Sequence, residues 1–498
     1  MVILLSFFLL LFVSLIYTKN IKNSKHNLPP GPTKLPIIGN LHKLQGLVHR
    51  CLHDLSKKHG SVMHLRLGFL PMVVISSSEA AEEVLKTHDL ECCTRPITIS
   101  TRVFSRNGKD VGFGVYNDER KELRKLAVRE FFCVKKVRSF KYVREEENHF
   151  MVEKLRESAL KQSPVDLTNT LFFLAASIIF RSAFGQSFLE NKHIDKGRIK
   201  DLMFEAQRNM SLKLSDLFPI TGLGWLIELV SGQHKMLYDV FNEVDTFLNH
   251  IIDDHHSQSS TQDRPDIIDS LLDMISKQGQ DDSFKLTTDH LKGIIQGIYL
   301  AGVDTSAITM IWAMAELVRN PRVMKKAQDE IQNCIGIKTK ERLAEEDLDK
   351  LQYLKLVVKE TLRLHPPAPL LIPRETMSQI KIQGYDIPPK TILVVNAWSI
   401  GRDPKHWKNP EEFNPERFID CPVEYKGNSF EMIPFGSGRR ICPGMAFGIA
   451  TIELGLLNLL YFFDWRMSEE KKDMDMEEAG NFTVVKKVPL DLLPILRH

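Results

Sequence analysis

The chain has 498 residues, 43% of them apolar and 26% charged, and a formal net charge of +3. These are the proportions of an ordinary globular protein, and so small a charge excludes a nucleic-acid partner held by bulk electrostatics. Seven cysteines, odd in number and scattered without a CxxC pair, exclude a disulfide scaffold, a zinc ribbon and a thioredoxin-like site, and fit a reducing compartment.

Residues 1–17 are apolar apart from Ser6 and Ser14, and Lys19, Lys22, Lys25 and His26 follow them. No basic residue precedes the run and no small-x-small site closes it, so it reads as an uncleaved anchor rather than a signal peptide. The basic flank behind it places the body of the protein on the cytosolic side. Leu28-Pro29-Pro30-Gly31-Pro32 cannot continue a helix and makes a stiff joint. The expected division is a transmembrane anchor at 1–18, a basic and proline-rich linker at 19–32, and one catalytic domain at 33–498.

Val62–Leu67 and residues 72–76 flank Gly68 and Pro71 as hairpin arms, and residues 78–87 read as a short capped helix. From Asp118 onward the period is helical. Residues 253–266 carry the pair His255-His256, serines and Pro265, and read as a polar surface loop. Thr287-Thr288-Asp289 opens a helix that Asn320-Pro321 closes. At about 30 residues it far exceeds an average helix and must cross the whole domain. Pro321–Ile335 and residues 346–364 and 443–463 are further helices, and residues 381–397 hold strands about Gly384 and Pro388-Pro389. Helices outnumber strands, which gather at the two ends, so the fold class is mainly α with minor β-sheets.

The most informative stretch is Pro434-Phe435-Gly436-Ser437-Gly438-Arg439-Arg440-Ile441-Cys442-Pro443-Gly444. Pro443 suits the first position of a helix, which sets Cys442 at that helix's N-terminus, where the dipole and free amides stabilise a thiolate. The glycines let the backbone approach a flat cofactor, and Arg440 offers a cation to a carboxylate. A lone cysteine is more often a buried inert thiol, but Phe435, Gly438, Arg440, Cys442 and Gly444 together fix a specific pattern. Within the long helix, Gly302, Asp304 and Thr305 of Ala301-Gly302-Val303-Asp304-Thr305-Ser306 are poor interior residues. A polar pair beside a packing glycine accounts for them as well as a function does.

The cysteine loop resembles the haem-binding signature of the cytochrome P-450 family. With Pro29-Pro30-Gly31-Pro32 and Pro415-Glu416-Arg417-Phe418, the resemblance covers nearly the whole chain and is nearest to plant microsomal A-type members. It implies the family's fold: a long central helix crossing the haem, a cysteine-ligand loop, and a single N-terminal anchor helix before the domain. It implies haem b (iron protoporphyrin IX) with Cys442 as axial ligand to iron, and a loop shaped by Phe435, Gly438 and Gly444. Arg440 and Arg124 would contact a propionate, Asp304 and Thr305 would deliver protons, and Glu360, Arg363 and Arg417 would form a buried network behind the haem. The ExxR spacing alone means little, because Glu153/Arg156, Glu205/Arg208 and Glu316/Arg319 repeat it on what read as solvated faces. Position singles out Glu360 and Arg363.

One departure stands out. Where the family carries Trp-Arg-x-x-Arg, this chain has Arg120 in place of the tryptophan, then Lys121, with Arg124 retained. Arg120 can donate to a carboxylate but cannot replace the aromatic surface, so weaker haem retention is expected. Arg120, Lys121, Arg124, Lys125, Arg129, Lys135 and Lys136 make the basic surface that the resemblance assigns to docking an acidic flavoprotein reductase.

The implied activity is monooxygenation of a lipophilic small molecule in plant specialised metabolism. One atom of O2 enters the substrate and the other leaves as water, with electrons from NADPH through NADPH-cytochrome reductase. The expected location is the endoplasmic reticulum membrane, single-pass, with the catalytic domain cytosolic. The alternatives are a haem-thiolate isomerase or dehydratase needing no reductase, and a non-catalytic haem- or lipid-binding relative. Substrate is expected against residues 97–104, 212–218, 298–305, 369–373 and 482–484.

Overall fold

The computed structural model describes residues 27–185, 196–219, 222–257, 265–279, 284–336, 340–467, 473–480 and 482–497. The expected anchor and the linker up to residue 26 lie outside the described residues. The domain begins with α1 (Val48–His59), followed by β1 (Val62–Leu67) and β2 (Leu70–Ile75). The hairpin is paired from Val62↔Ile75 to Leu67↔Leu70. Its second arm starts before residue 72 and contains Pro71, which the sequence placed in the turn. Pro71 is tolerated because the parallel ladder on the other side of β2 begins only at Met72, so its missing N–H removes no bond there. Residues 78–87 are helical and capped by Ser77, but Glu83–Thr87 widens into a π-turn.

Seven helices matter next: α2 (Ile99–Phe104), α3 (Asp118–Ala127), α4 (Lys141–Leu160), α5 (Leu167–Phe184), α6 (Leu223–Val230), α7 (Gln233–Ser257) and α8 (Ile267–Lys277). The central α9 (Thr288–Arg319) then runs 32 residues. Thr287 caps its first turn and Asn320-Pro321 ends it, as the sequence predicts. After it come α10 (Gln352–Leu364), β3 (Arg374–Glu375), β4 (Ile392–Val395) and α11 (Met445–Phe462).

By length and composition α5, α9 and α11 are each apolar enough to cross a membrane. They pack on one another instead and form the largest core cluster, with α9 touching both of the others. An all-round apolar helix is what the centre of a large domain requires. The strands are not two separate end groups. Sheet order is β1-β2-β4-β3, with β2 parallel to β4 from Met72↔Ile392 to Ile75↔Val395. The amino- and carboxy-terminal parts of the chain therefore share one sheet.

Two helix limits differ from expectation. Residues 346–364 are not one helix: Glu345–Lys350 is a 3₁₀ turn, Leu351 is extended, and α10 starts at Gln352. The Glu330 carboxylate accepts the N–H groups of Gln352, Tyr353 and Leu354 at 2.8, 2.7 and 3.0 Å. This cap comes from another helix, so no local signal announced it. Likewise α7 continues through His255 and His256, which therefore stand on its last turn rather than on a loop.

His255 donates from Nδ1 to the Ile251 carbonyl at 2.7 Å and from Nε2 to Asp266 Oδ2 at 2.9 Å. Asp266 in turn caps α8. A cation at the end of one helix thus meets an anion at the start of the next. Burial opposes the charge on His255, but Asp266 and the Ile251 carbonyl outweigh it and raise its pKa from 6.5 to about 9. Because the folded value lies above the unfolded one, the stabilisation is complete below about pH 6.5 and is lost as pH rises through about 9. Thermal melts of His255→Gln should fall below wild type at about pH 6 and converge with it at about pH 10. A constant gap across that range would contradict this account.

Candidate functional site

The cysteine loop is held by its backbone. Gly438 has φ +66°, and a Cβ there would lie 2.4 Å from the Leu85 carbonyl oxygen, so only glycine fits. Arg374 donates to the Ser437 carbonyl at 2.6 Å, and Asp89 accepts the Arg439 N–H at 2.9 Å. The Cys442 N–H closes the loop on the Phe435 carbonyl at 2.9 Å. Contrary to expectation, Pro443 does not begin the helix: α11 starts at Met445 with Gly444 as its cap. Burial pushes the Cys442 thiol up, opposed by the N–H of Gly444, the Arg124 guanidinium and the N–H of Met445. The expected thiolate stabilisation is present but does not win unaided. A bound metal cation settles it, because a coordinating thiol is deprotonated outright.

Cys442, Phe435 and Gly444 line a cavity of about 320 Å³, and Ala301, Gly302 and Thr305 of α9 line it too. Five guanidinium-bearing residues, Arg95, Arg120, Arg124, Arg374 and Arg440, share the same lining. Arg124 donates to the Ile441 carbonyl at 2.5 Å, and Arg440 to the carbonyls of Cys93 and Gly114, each at 2.6 Å. Arg95 donates to the carbonyls of Ile372 and Pro373 at 2.6 and 2.8 Å, and Arg374 pairs with Asp89 at 2.7 Å. Arg120 is buried, and its Nε has no partner.

Burial and mutual repulsion lower the affinity of Arg95, Arg120, Arg124 and Arg440 for their protons. Arg440 falls to about 9, with Arg120 the nearest repelling charge, and Arg120 falls to about 10, with Arg124 beside it. Arg95 lies well below its usual value for the same reasons. Asp110, the carboxylate lining this cavity, already accepts the N–H groups of Gly112 and Phe113. A thiol, apolar walls and an excess of guanidiniums over carboxylates fit an iron porphyrin carrying two carboxylates. Arg95 and Arg374 were invisible to sequence reading because they sit in a loop and a two-residue strand, where no periodicity marks them.

In mid-α9, the Thr305 hydroxyl donates to the Ala301 carbonyl at 2.7 Å and the Thr309 hydroxyl to the Thr305 carbonyl at 2.8 Å. Such back-bonding loosens a helix. A Cβ on Gly302 would meet Ile179 Cδ1 at 2.7 Å, so glycine there lets α5 approach. The expected pair divides: Thr305 lines the cavity, whereas Asp304 is fully buried and does not. On this stretch of α9 the cavity face is made by Ala301, Gly302, Thr305 and Ser306.

Glu360 receives Arg363 at 2.7 and 2.8 Å and Arg417 at 2.9 Å; Glu360 and Arg363 are fully buried and Arg417 is nearly so. The remaining Arg363 N–H groups reach the carbonyls of Gly401, Pro410 and Glu412. Of the other ExxR pairs, Glu153/Arg156 is exposed as expected, and Glu205 pairs with Arg198 rather than Arg208. Glu316 is not on a solvated face: it is buried and binds His365 at 2.8 Å.

Four of the five expected substrate segments contribute to the cavity, through Phe104, Ile298, Leu371, Phe482 and their neighbours. Residues 212–218 do not; Leu214, Leu217 and Phe218 pack on the β-hairpin instead. The basic run is also less one-signed than expected. Arg120 turns into the cavity, and Lys121, Lys125 and Arg129 pair with Asp118, Glu122 and Glu130 at 2.7, 2.8 and 2.5 Å.

A mainly helical domain that aims one loop cysteine and a ring of arginines into an apolar chamber defines a haem-thiolate enzyme. The cytochrome P-450 family model matches residues 29–493. Over its whole length the chain is 75% identical to cytochrome P-450 71B4 of Arabidopsis thaliana and 73% identical to cytochrome P-450 71B25 of the same plant, covering 99% and 100% of those relatives. Its fold matches a zebrafish cytochrome P-450 solved with abiraterone at a TM-score of 0.75 and 24% identity, over 90% of this chain and all of that one. The chain belongs to the cytochrome P-450 family and is a monooxygenase with haem b as cofactor.

Removing a partner from the Glu360 network leaves buried charge uncompensated. Glu360→Gln should cost about 3–5 kcal/mol, seen as loss of folded, haem-bearing protein. The exposed Glu153→Gln should cost no more than about 1 kcal/mol. Equal losses in denaturant melts would contradict the distinction.

Proposed function

We propose that this enzyme inserts one oxygen atom into a lipophilic small molecule of plant specialised metabolism, taking electrons from NADPH through a flavoprotein reductase at the endoplasmic reticulum membrane. The observation that carries the site reading is the sharing of one cavity by Cys442, Thr305 and five arginines. Cys442, held by the loop with Arg124 beside it, would ligate the haem iron. Bound there, haem supplies the oxygen chemistry, with the thiolate favouring O–O cleavage. The protein's own part is to orient, exclude water and move protons.

Arg95, Arg120, Arg124, Arg374 and Arg440 hold the propionates. Thr305, on the cavity face, holds or passes a proton to the reacting oxygen, and Asp304 acts behind it as a second-rank group. Glu360, Arg363 and Arg417 keep the proximal framework folded. Phe104, Phe113, Phe482 and Leu371 give the chamber an apolar lining suited to a lipophilic substrate.

The reductase docks on the cysteine side, where Lys121, Lys125, Arg129, Lys135 and Arg439 are exposed. Their interleaved carboxylates make this a patterned surface rather than a uniformly positive one. Membrane attachment is supported by the basic flank after residues 1–17 and by the exposed apolar side chains of α6. Trp225, Leu226 and Val230 are 51%, 50% and 80% exposed there. Residues just before α6 touch the hairpin, with the Phe69 N–H on the Leu217 carbonyl at 2.8 Å, and the linker touches it too, with the His64 N–H on the Pro30 carbonyl at 2.8 Å.

Arg120→Ala should weaken haem retention by about 10- to 100-fold, the worth of a charged hydrogen bond, measured as haem transfer to apomyoglobin. Arg120→Trp keeps a donor but loses the charge and, against the weaker retention expected of Arg120 from sequence, should fall between the other two. Equal retention in all three proteins would remove Arg120 from the haem-binding set. In microsomes with reductase, product formation should need NADPH, and Thr305→Val should lower product per NADPH consumed by about 10- to 100-fold. NADPH-independent turnover would favour an isomerase or dehydratase.

A further inference from the structure

The cavity has one wall built on charge. After α2 the chain turns through Arg106, Asn107 and Gly108, with φ of +52°, +60° and +91°. Two successive non-glycine residues in the left-handed region store strain and persist only when their surroundings hold them. The turn is closed by its own backbone bonds, from the Arg106, Asn107 and Gly108 N–H groups to the Val103, Arg102 and Ser105 carbonyls, and is tied to α7 and α9 by an ion-pair cluster. Arg106 Nη1 lies 2.6 Å from Asp245 Oδ1, and Lys292 Nζ lies 2.9 Å from the same oxygen. Next along the chain, Lys109 reaches Asp289 at 2.9 Å. The Arg106 guanidinium also lies over the Phe241 ring at 4.9 Å, but its Nε is buried without a partner. The contact is therefore held by charge more than by complete hydrogen bonding.

This cluster is one layer from the chamber. Gln296 accepts from Arg106 at 3.4 Å and donates to the Phe104 carbonyl at 3.1 Å, and both Gln296 and Phe104 line the cavity. On the other side Asp245 meets solvent, its side chain 27% exposed, while the Arg106 side chain is only 6% exposed. From solvent to cavity the sequence of groups is Asp245, Arg106, Gln296.

We propose that Asp245 is a positioning residue for ligand passage: its ion pair with Arg106 is a gate through which molecules exchange with the chamber between α2, α7 and α9. Opening needs the Arg106 side chain to leave Asp245, whereupon Gln296 loses one of its two tethers. Asp245 touches neither substrate nor haem; it sets how fast the wall opens. The gate rests on reading the cavity as the haem and substrate chamber.

The test uses the full-length ferric holoenzyme and 4-phenylimidazole, whose nitrogen binds haem iron with a spectral change. Asp245→Asn should speed association and dissociation alike, by about tenfold, a barrier change of about 1.4 kcal/mol, leaving Kd within about twofold. Asp245→Glu should restore slow exchange, and carbon monoxide binding to the reduced enzyme should be unchanged. Raising salt from about 50 to about 500 mM should speed exchange in wild type and not in Asp245→Asn, because only the former has the Arg106–Asp245 pair to screen. Wild-type exchange rates in Asp245→Asn, or a changed Kd with unchanged rates of opening, would overturn the gate. Should Asp245→Asn fail to hold haem, salt-independent exchange in wild type overturns it alone. No spectral response to the azole in wild type would instead defeat the chamber reading.

Discussion

Everything near the cavity answers to one constraint: a thiol and five guanidiniums are taken out of water in the same place. Neither group is at ease there. Burial raises the Cys442 thiol and lowers Arg95, Arg120 and Arg440. An iron porphyrin with two carboxylates would relieve both strains together, its metal favouring the thiolate and its propionates the arginines. The Cys442 loop, the strand that carries Arg374 and the segment that carries Arg95 are bound together by hydrogen bonds, directly and through the Gly112 carbonyl.

The two halves of the chamber are built on different principles. The cofactor side is rigid: Gly438 admits no side chain, and Glu360 ties Arg363 and Arg417 into a closed polar knot. The substrate side is apolar and closed at one edge by Arg106 and Asp245, a partly solvated pair. Rigidity where the metal must be held, and a breakable contact where small molecules must pass, divide the labour between fixed geometry and exchange.

Sequence reading went furthest where a residue's role depends on its neighbours in the chain. Thr287 and Pro321 bound the central helix, and the cysteine loop reports its own glycine geometry. It stopped where the partner lies far away. Glu330 caps α10 from another helix, His255 finds Asp266 across a connection, and Arg374 reaches the cysteine loop from a two-residue strand. Helix geometry also corrected a motif: Asp304 and Thr305 are adjacent in sequence, but only Thr305 lines the cavity. The Arg120 substitution looked like a lost tryptophan contact from sequence alone; in the fold it is one more cation at a crowded edge.

The shared sheet has a temporal meaning. β2 pairs with β4 across more than three hundred residues of chain, and Arg440 grips the Cys93 carbonyl across 347. A ribosome delivers these partners far apart in time, so the cofactor chamber cannot close until synthesis is nearly complete. Meanwhile α5 and α9, each with an apolar stretch long enough to span a membrane, have already emerged, and α11, which packs on α9, comes last. During that interval the nascent chain must be kept from lipid and from other chains. Haem capture is therefore a late event in the life of this protein, and the long wait for α11 is when it is most exposed to misfolding.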